Sequence, residues 1–128
     1  MRNYDSWNFI KNNLDLNVIR LNFHVRDIWF CYLGANVGDE QDGAPETFIR
    51  PVIIVQKFNN HLCWIVPLTR TEKESRYYFS FSFIGNDWST VVLSQNRSVD
   101  AKRLIRKIGF INKSDFAVLI EKLKALLP

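Results

Sequence analysis

Apolar and polar positions change period several times along the chain. Trp7, Ile10 and Leu14 fall at i, i+3 and i+7 within Tyr4 to Leu14, which predicts a short amphipathic helix with Ser6 as candidate N-cap. Val25 to Leu33 is aromatic and β-prone (Ile28, Trp29, Phe30, Tyr32) and predicts a strand. Gly34, Gly38 and Gly43 then break the pattern, and a polar loop runs to Ile49. Arg50 opens the next strand. Pro51 has no N–H and suits a strand's first position, while Val52 to Val55 form the unbroken apolar run of a strand covered on both faces. Asn59-Asn60 marks a turn and Leu62 to Leu68 returns as the hairpin partner, so Arg50 and Thr69 stand at the open ends of two strands.

Farther on, Tyr77, Phe79, Phe81 and Phe83 alternate with Tyr78, Ser80 and Ser82, a period of two with an apolar inner face. Gly85-Asn86 supplies a hairpin turn and Ser89 to Leu93 its second strand. Ser98 to Arg106 is expected as a short helix and Lys107 to Ile111 as a last strand. Ser114 is expected to cap a terminal helix whose Phe116, Leu119, Ile120, Leu123, Leu126 and Leu127 follow the 3.6-residue period. Five or six short strands in hairpins with a closing helix predict an α+β, mainly β fold built on a small, strongly bent antiparallel sheet or barrel.

A chain of 128 residues, 47% apolar, can bury one core without disulfides or metal, so one compact domain is expected. The N-terminus carries no apolar signal region and no window approaches about 18 apolar residues, so a cytoplasmic protein without membrane contact is expected. Cys31 and Cys63 share no short metal spacing and sit in apolar settings, which predicts buried free thiols. The net charge of +4 is segregated. Arg97, Lys102, Arg103, Arg106, Lys107 and Lys113 face a single acid, Asp100, whereas Asp39, Glu40, Asp42 and Glu46 crowd the loop before Arg50. The basic run is either a solvated face or a polyanion track, and Leu104, Ile105 and Ile108 within it are core-type residues.

His24 and His61 are far apart with no HExxH or paired CxxC, and no glycine-rich phosphate cradle precedes a helix, so neither metal nor cofactor is expected. What remains is Arg50, Thr69, Gln95 and Arg97, each at or just after a strand end. Guanidinium groups bind phosphate bidentately, hydroxyls and amides donate to its other oxygens, and an aromatic such as Trp29 can stack on a base. This set suits RNA. The plainer alternative pairs Arg50 with Glu46 and lets Thr69 simply end a strand.

"GDEQDG" (Gly38 to Gly43), "RPVIIV" (Arg50 to Val55), "VPLT" (Val66 to Thr69), "SQNRSVDAKRLIRKIG" (Ser94 to Gly109) and the terminal helix resemble, in order, the MazF/PemK family of toxin endoribonucleases. The resemblance covers roughly Arg26 to Leu127 and leaves residues 1–24 as an N-terminal, helical extension before a toxin domain of residues 25–128. It implies an SH3-like small antiparallel barrel with a C-terminal helix. It further implies a homodimer that cleaves single-stranded RNA without metal and is silenced by a cognate antitoxin. The family's active-site pair maps to Arg50 and Thr69, and Trp29, Gln41, Gln95, Arg97, Lys102 and Arg103 are the expected RNA-binding residues. Ser94 and Val92 stand where some relatives carry acid or base residues, which leaves the general base unassigned. Two rivals stay open: a catalytically weak relative that only binds RNA or antitoxin, and a toxin aimed at a protein such as DNA gyrase.

Overall fold

The computed structural model describes residues 22–34, 49–83 and 86–128. The expected N-terminal helix, most of the Gly34 to Ile49 loop and Gly85 of the second turn lie outside them. Among the described residues, seven strands follow in order: β1 (Asp27–Tyr32), β2 (Ile49–Lys57), β3 (Leu62–Thr69), β4 (Tyr78–Ser80), β5 (Thr90–Val92), β6 (Arg97–Asp100) and β7 (Leu104–Phe110), before one helix, α1 (Lys113–Lys124). All pairings are antiparallel, in the path β4-β5-β3-β2-β1-β7, with β6 on the same β3 edge as β5 but farther along it.

The β2–β3 hairpin forms as its turn chemistry predicts. Asn59 Oδ1 accepts the backbone N–H of His61 (2.7 Å) and of Leu62 (2.9 Å), tightening the turn. Alternation then sends β2 and β3 side chains to two cores. Ile28, Ile53, Val66, Leu68, Val91 and Leu93 pack beneath Leu119 and Leu123 of α1. Trp29, Cys31, Val52, Ile54, Cys63 and Ile65 form the other core with Phe23, Val99, Ala101 and Leu104. A strand feeding both cores has no polar face, which is why Val52 to Val55 reads as an uninterrupted apolar run.

Three expectations are corrected. The Ser98 to Arg106 segment is not a helix: β6 adds to β3, a 3-10 turn (Ala101–Arg103) reverses the chain, and β7 begins at Leu104. The turn is held by Asp100, whose side chain accepts the N–H of Lys102 at 2.9 Å. Register shifts opposite Ile28/Trp29 and Phe30/Cys31 leave Ile108 and Ile105 as extra residues in β7. These two bulges break the alternation and give Leu104, Ile105 and Ile108 a helix-like spacing in the sequence. Of the three, Leu104 is buried, Ile108 packs at the edge of the α1 core, and Ile105 is 41% exposed.

The sheet also does not close into a hydrogen-bonded barrel. β6 and β7 flank the gap, joined only through the 3-10 turn. Finally, the cap of α1 is Asn112 rather than Ser114: Asn112 Oδ1 accepts the Asp115 N–H at 2.8 Å, and Ser114 donates to the same oxygen. Leu127 lies beyond the helix and is 68% exposed.

The aromatic period after Tyr77 survives in space more than in the ladder. Only Tyr78–Ser80 pairs as β4, yet the Phe79, Phe81 and Phe83 rings stack in series at 6.4 and 5.9 Å over the α1 core. No helix among the described residues is long and apolar enough to cross a membrane.

Candidate active site

One row of side chains crosses the sheet at the ends of five strands. Ser80 of β4 faces Thr90 of β5, Thr90 faces Thr69 of β3, and Arg50 of β2 faces Cys31 of β1. The β2–β3 register pairs Val52 with Pro67, and carrying it two residues on sets Arg50 opposite Thr69. Cross-strand neighbours of this kind have Cβ atoms about 4.5–5.5 Å apart. A guanidinium and a hydroxyl thus share one rim of the second core, both half-buried.

Thr69 Oγ1 accepts the N–H of Thr71 at 3.3 Å, which occupies a lone pair and leaves the hydroxyl proton to donate elsewhere. Beside it, Thr90 is 1% exposed, and its hydroxyl is 3.0 Å from that of Ser80. Neither Thr90 nor Ser80 stands out in the sequence. Only the β3–β5–β4 register brings them into the row.

The end of β1 is a meeting point for positive charge. Arg103 Nη1 donates to the Tyr32 carbonyl at 3.2 Å and its guanidinium lies 5.9 Å from the Tyr32 ring centre. Arg97 Nη1 reaches the Leu33 carbonyl at 3.5 Å. The Arg97 contact ties β6 to the end of β1 across the open side of the sheet, while the Arg103 contact extends the β1–β7 pairing by one residue. Gly34 turns the chain there with a φ of +81°, and a Cβ on it would sit 3.4 Å from the Arg103 guanidinium. Because Arg50 neighbours Cys31, three arginines gather around one strand end. The Cys31 thiol registers two of them: burial pushes it up to about 12, helped by Cys63, while Arg103 and Arg97 pull it back. Cys63 is pushed up to about 11, chiefly by burial. Both are buried free thiols, as the sequence predicts, and neither is a nucleophile at neutral pH.

The fold therefore brings together Arg50, Thr69, Arg97 and Arg103. Gln95, in a 3-10 turn (Leu93–Gln95), and Lys102 are exposed nearby along the chain. Trp29 is corrected: it is 6% exposed, packs in the second core and commits its indole N–H to Asp27 at 3.2 Å, which leaves no ring face for a base. Gln41 lies outside the described residues. An exposed cation-and-aromatic segment after Thr69, absent from the expected set, contains Arg70 over Trp88 (4.3 Å), Lys73 near Tyr78 (5.6 Å) and Arg76 near Tyr77 (5.1 Å). Among the described residues, no group of three or more His, Cys, Asp or Glu could hold a metal ion.

Solved structures with the same fold include toxins. The chain superposes on MazF from Deinococcus radiodurans with a TM-score of 0.66 at 17% identity, covering 81% of this chain and 94% of that one. An endoribonuclease in complex with its cognate antitoxin from a mycobacterial species gives 0.62 at 16% identity, covering 81% and 95%. The Mycobacterium tuberculosis toxin MazF-mt6 gives 0.56 at 18% identity, covering 78% and 94%. No match is found among curated proteins. At such identities the likeness carries the fold, and the family rests on a separate sequence match, over residues 24–127, to the PemK-like, MazF-like toxins of type II toxin-antitoxin systems. The chain belongs to that family of toxins.

Proposed function

We propose that the protein is an endoribonuclease that cleaves single-stranded RNA without a metal ion, acts as a homodimer and is silenced by a cognate antitoxin. The observation that carries the reading is the cross-sheet register, which sets the Arg50 guanidinium and the Thr69 hydroxyl on one rim beside Arg97 and Arg103. Family membership and the endoribonuclease neighbours support the same class of reaction.

In this reading a ribose 2′-oxygen attacks the adjacent phosphorus. The new O–P bond closes a 2′,3′-cyclic phosphate, the bond to the 5′-oxygen breaks, and that oxygen leaves as a 5′-hydroxyl after taking a proton. Arg50 stays protonated at any working pH, so its part is to bind the charge that accumulates on the phosphorane. Thr69 donates to a non-bridging oxygen, its own lone pair being engaged by Thr71. Neither is a base, so the 2′-proton passes to a substrate oxygen or to water. Tyr32 and Ile49, paired across β1 and β2 beside Arg50 and 40% and 46% exposed, offer apolar surface for a second copy.

The test is incubation of a mixed-sequence single-stranded RNA in EDTA with wild type, Arg50→Ala and Thr69→Ala, followed by identification of the product ends. Cleavage by wild type alone, leaving cyclic phosphates, is expected. Intact RNA with all three proteins folded would remove the reading.

A further inference from the structure

The segment after Thr69 holds a cation whose arrangement the proposed chemistry does not use. Arg70 follows Thr69 directly, and its guanidinium carbon lies 4.3 Å from the centre of the Trp88 ring. Trp88 precedes by two residues the Thr90 that faces Thr69, so both partners lie just past the paired ends of β3 and β5. Among the described residues, Arg70 makes no hydrogen bond or ion pair, even though Glu72 and Glu74 follow in the same exposed segment. A guanidinium seated on an aromatic face is held in place while its N–H edges stay available. It is therefore pre-organised for a planar or tetrahedral oxyanion, one residue along the chain from Thr69.

Resting on the single-stranded RNA reading above, we propose that Arg70, seated on Trp88, binds the phosphate of the nucleotide neighbouring the scissile one. The substrate then engages the protein through at least two consecutive phosphates, one at Arg50 and Thr69 and one at Arg70. Lys73 and Arg76, each over a tyrosine ring, continue the same cationic and aromatic surface, the composition that tracks single strands. Trp88 also packs at the edge of the α1 core and holds Arg70 from beneath. Its part is positioning.

The experiment measures binding of uncleavable 2′-O-methyl RNA, as a hexamer and as a dinucleotide with a single phosphate, to wild type, Arg70→Ala and Arg70→Lys across a range of salt. Arg70 is exposed, so the substitutions do not disturb folding. One lost phosphate contact flattens the single-strand salt slope by about 0.7. For the hexamer, Arg70→Ala is expected to show that loss, and Arg70→Lys to keep the slope but bind more weakly because the stacked fork is gone. The dinucleotide should bind all three alike. An unchanged hexamer slope in Arg70→Ala, or an equal loss with the dinucleotide, would overturn the assignment. Weakening confined to a glutamate-rich peptide would overturn it too and give Arg70 to a protein partner. Because binding is read without cleavage, an inactive wild type would refute the ribonuclease reading while leaving this result legible.

Discussion

If Arg50 and Thr69 hold the same phosphorane as a coupled pair, their losses fall short of multiplying, and a double-mutant cycle measures this directly. Thr69→Ala removes one hydrogen-bond donor to a developing charge, a loss of about 10²-fold or ~2.7 kcal/mol of transition-state stabilisation. Arg50→Ala removes a charged, bidentate partner, for which losses of about 10³-fold or more are typical in phosphoryl transfer. Independent contributions would make the double variant about 10⁵-fold slower. Residues facing each other across β2 and β3 are close enough to couple, so a double loss nearer 10⁴-fold, short of additivity by about 1.4 kcal/mol, is expected. Folding does not confound the reading. Thr69→Ala gives up a bond of 3.3 Å at a half-buried strand end, about 0.5–1 kcal/mol against a typical domain stability of 5–15 kcal/mol.

The assay is single-turnover cleavage of one labelled RNA in EDTA, with circular dichroism melts to confirm folding. Thr69→Ser keeps the hydroxyl and should cleave within a few-fold of wild type. Arg50→Lys keeps the charge without the fork and should fall between wild type and Arg50→Ala. Fully multiplicative losses would show that the two residues act independently rather than as a coupled pair. A Thr69→Ser as slow as Thr69→Ala would refute the donor role altogether.

Three further outcomes test the fold beneath the site. Leu119→Ala, at a fully buried position beneath α1, should cost about 2–5 kcal/mol in urea unfolding, whereas Leu127→Ala should stay within about 0.5 kcal/mol. Asn112→Ala should lose about 1 kcal/mol by the same measurement and Asn112→Asp little, with Ser114→Ala the milder change; the reverse order would return the cap to Ser114. Both thiols are pushed above their ordinary value, so the folded protein keeps protons that the unfolded chain releases above pH 9. Their contribution is complete below pH 9 and is lost as pH rises toward 11 to 12. Unfolding at pH 10 should therefore be easier by about 1.4 kcal/mol per thiol than at pH 7, and Cys31→Ala should roughly halve that drop.

Much of the architecture is legible in local pattern. The β2–β3 hairpin and the apolar face of α1 follow from period and turn chemistry, because each depends on neighbours within a few residues. The misread stretch, Ser98 to Arg106, has a specific cause. A bulge in β7 inserts Ile105 out of alternation there, and a bulge is set by the partner strand rather than by its own sequence. Trp29 was misassigned for a related reason: an aromatic residue on a strand serves a core or a ligand according to which face is covered, and the β6–β7 reversal covers this one.

By itself, then, the sequence determined where the first strands and the last helix lie, though not β6 or the start of β7, and that Arg50 and Thr69 end adjacent strands. It also carried the ordered motifs of the family. Only the tertiary structure decided what meets across strands: Thr69 beside buried Thr90, Arg50 beside Cys31, Arg97 and Arg103 on the last carbonyls of β1, and Arg70 on Trp88. Period and propensity are local, whereas register and the path of a reversing strand are settled by the free energy of packing residues far apart in the chain.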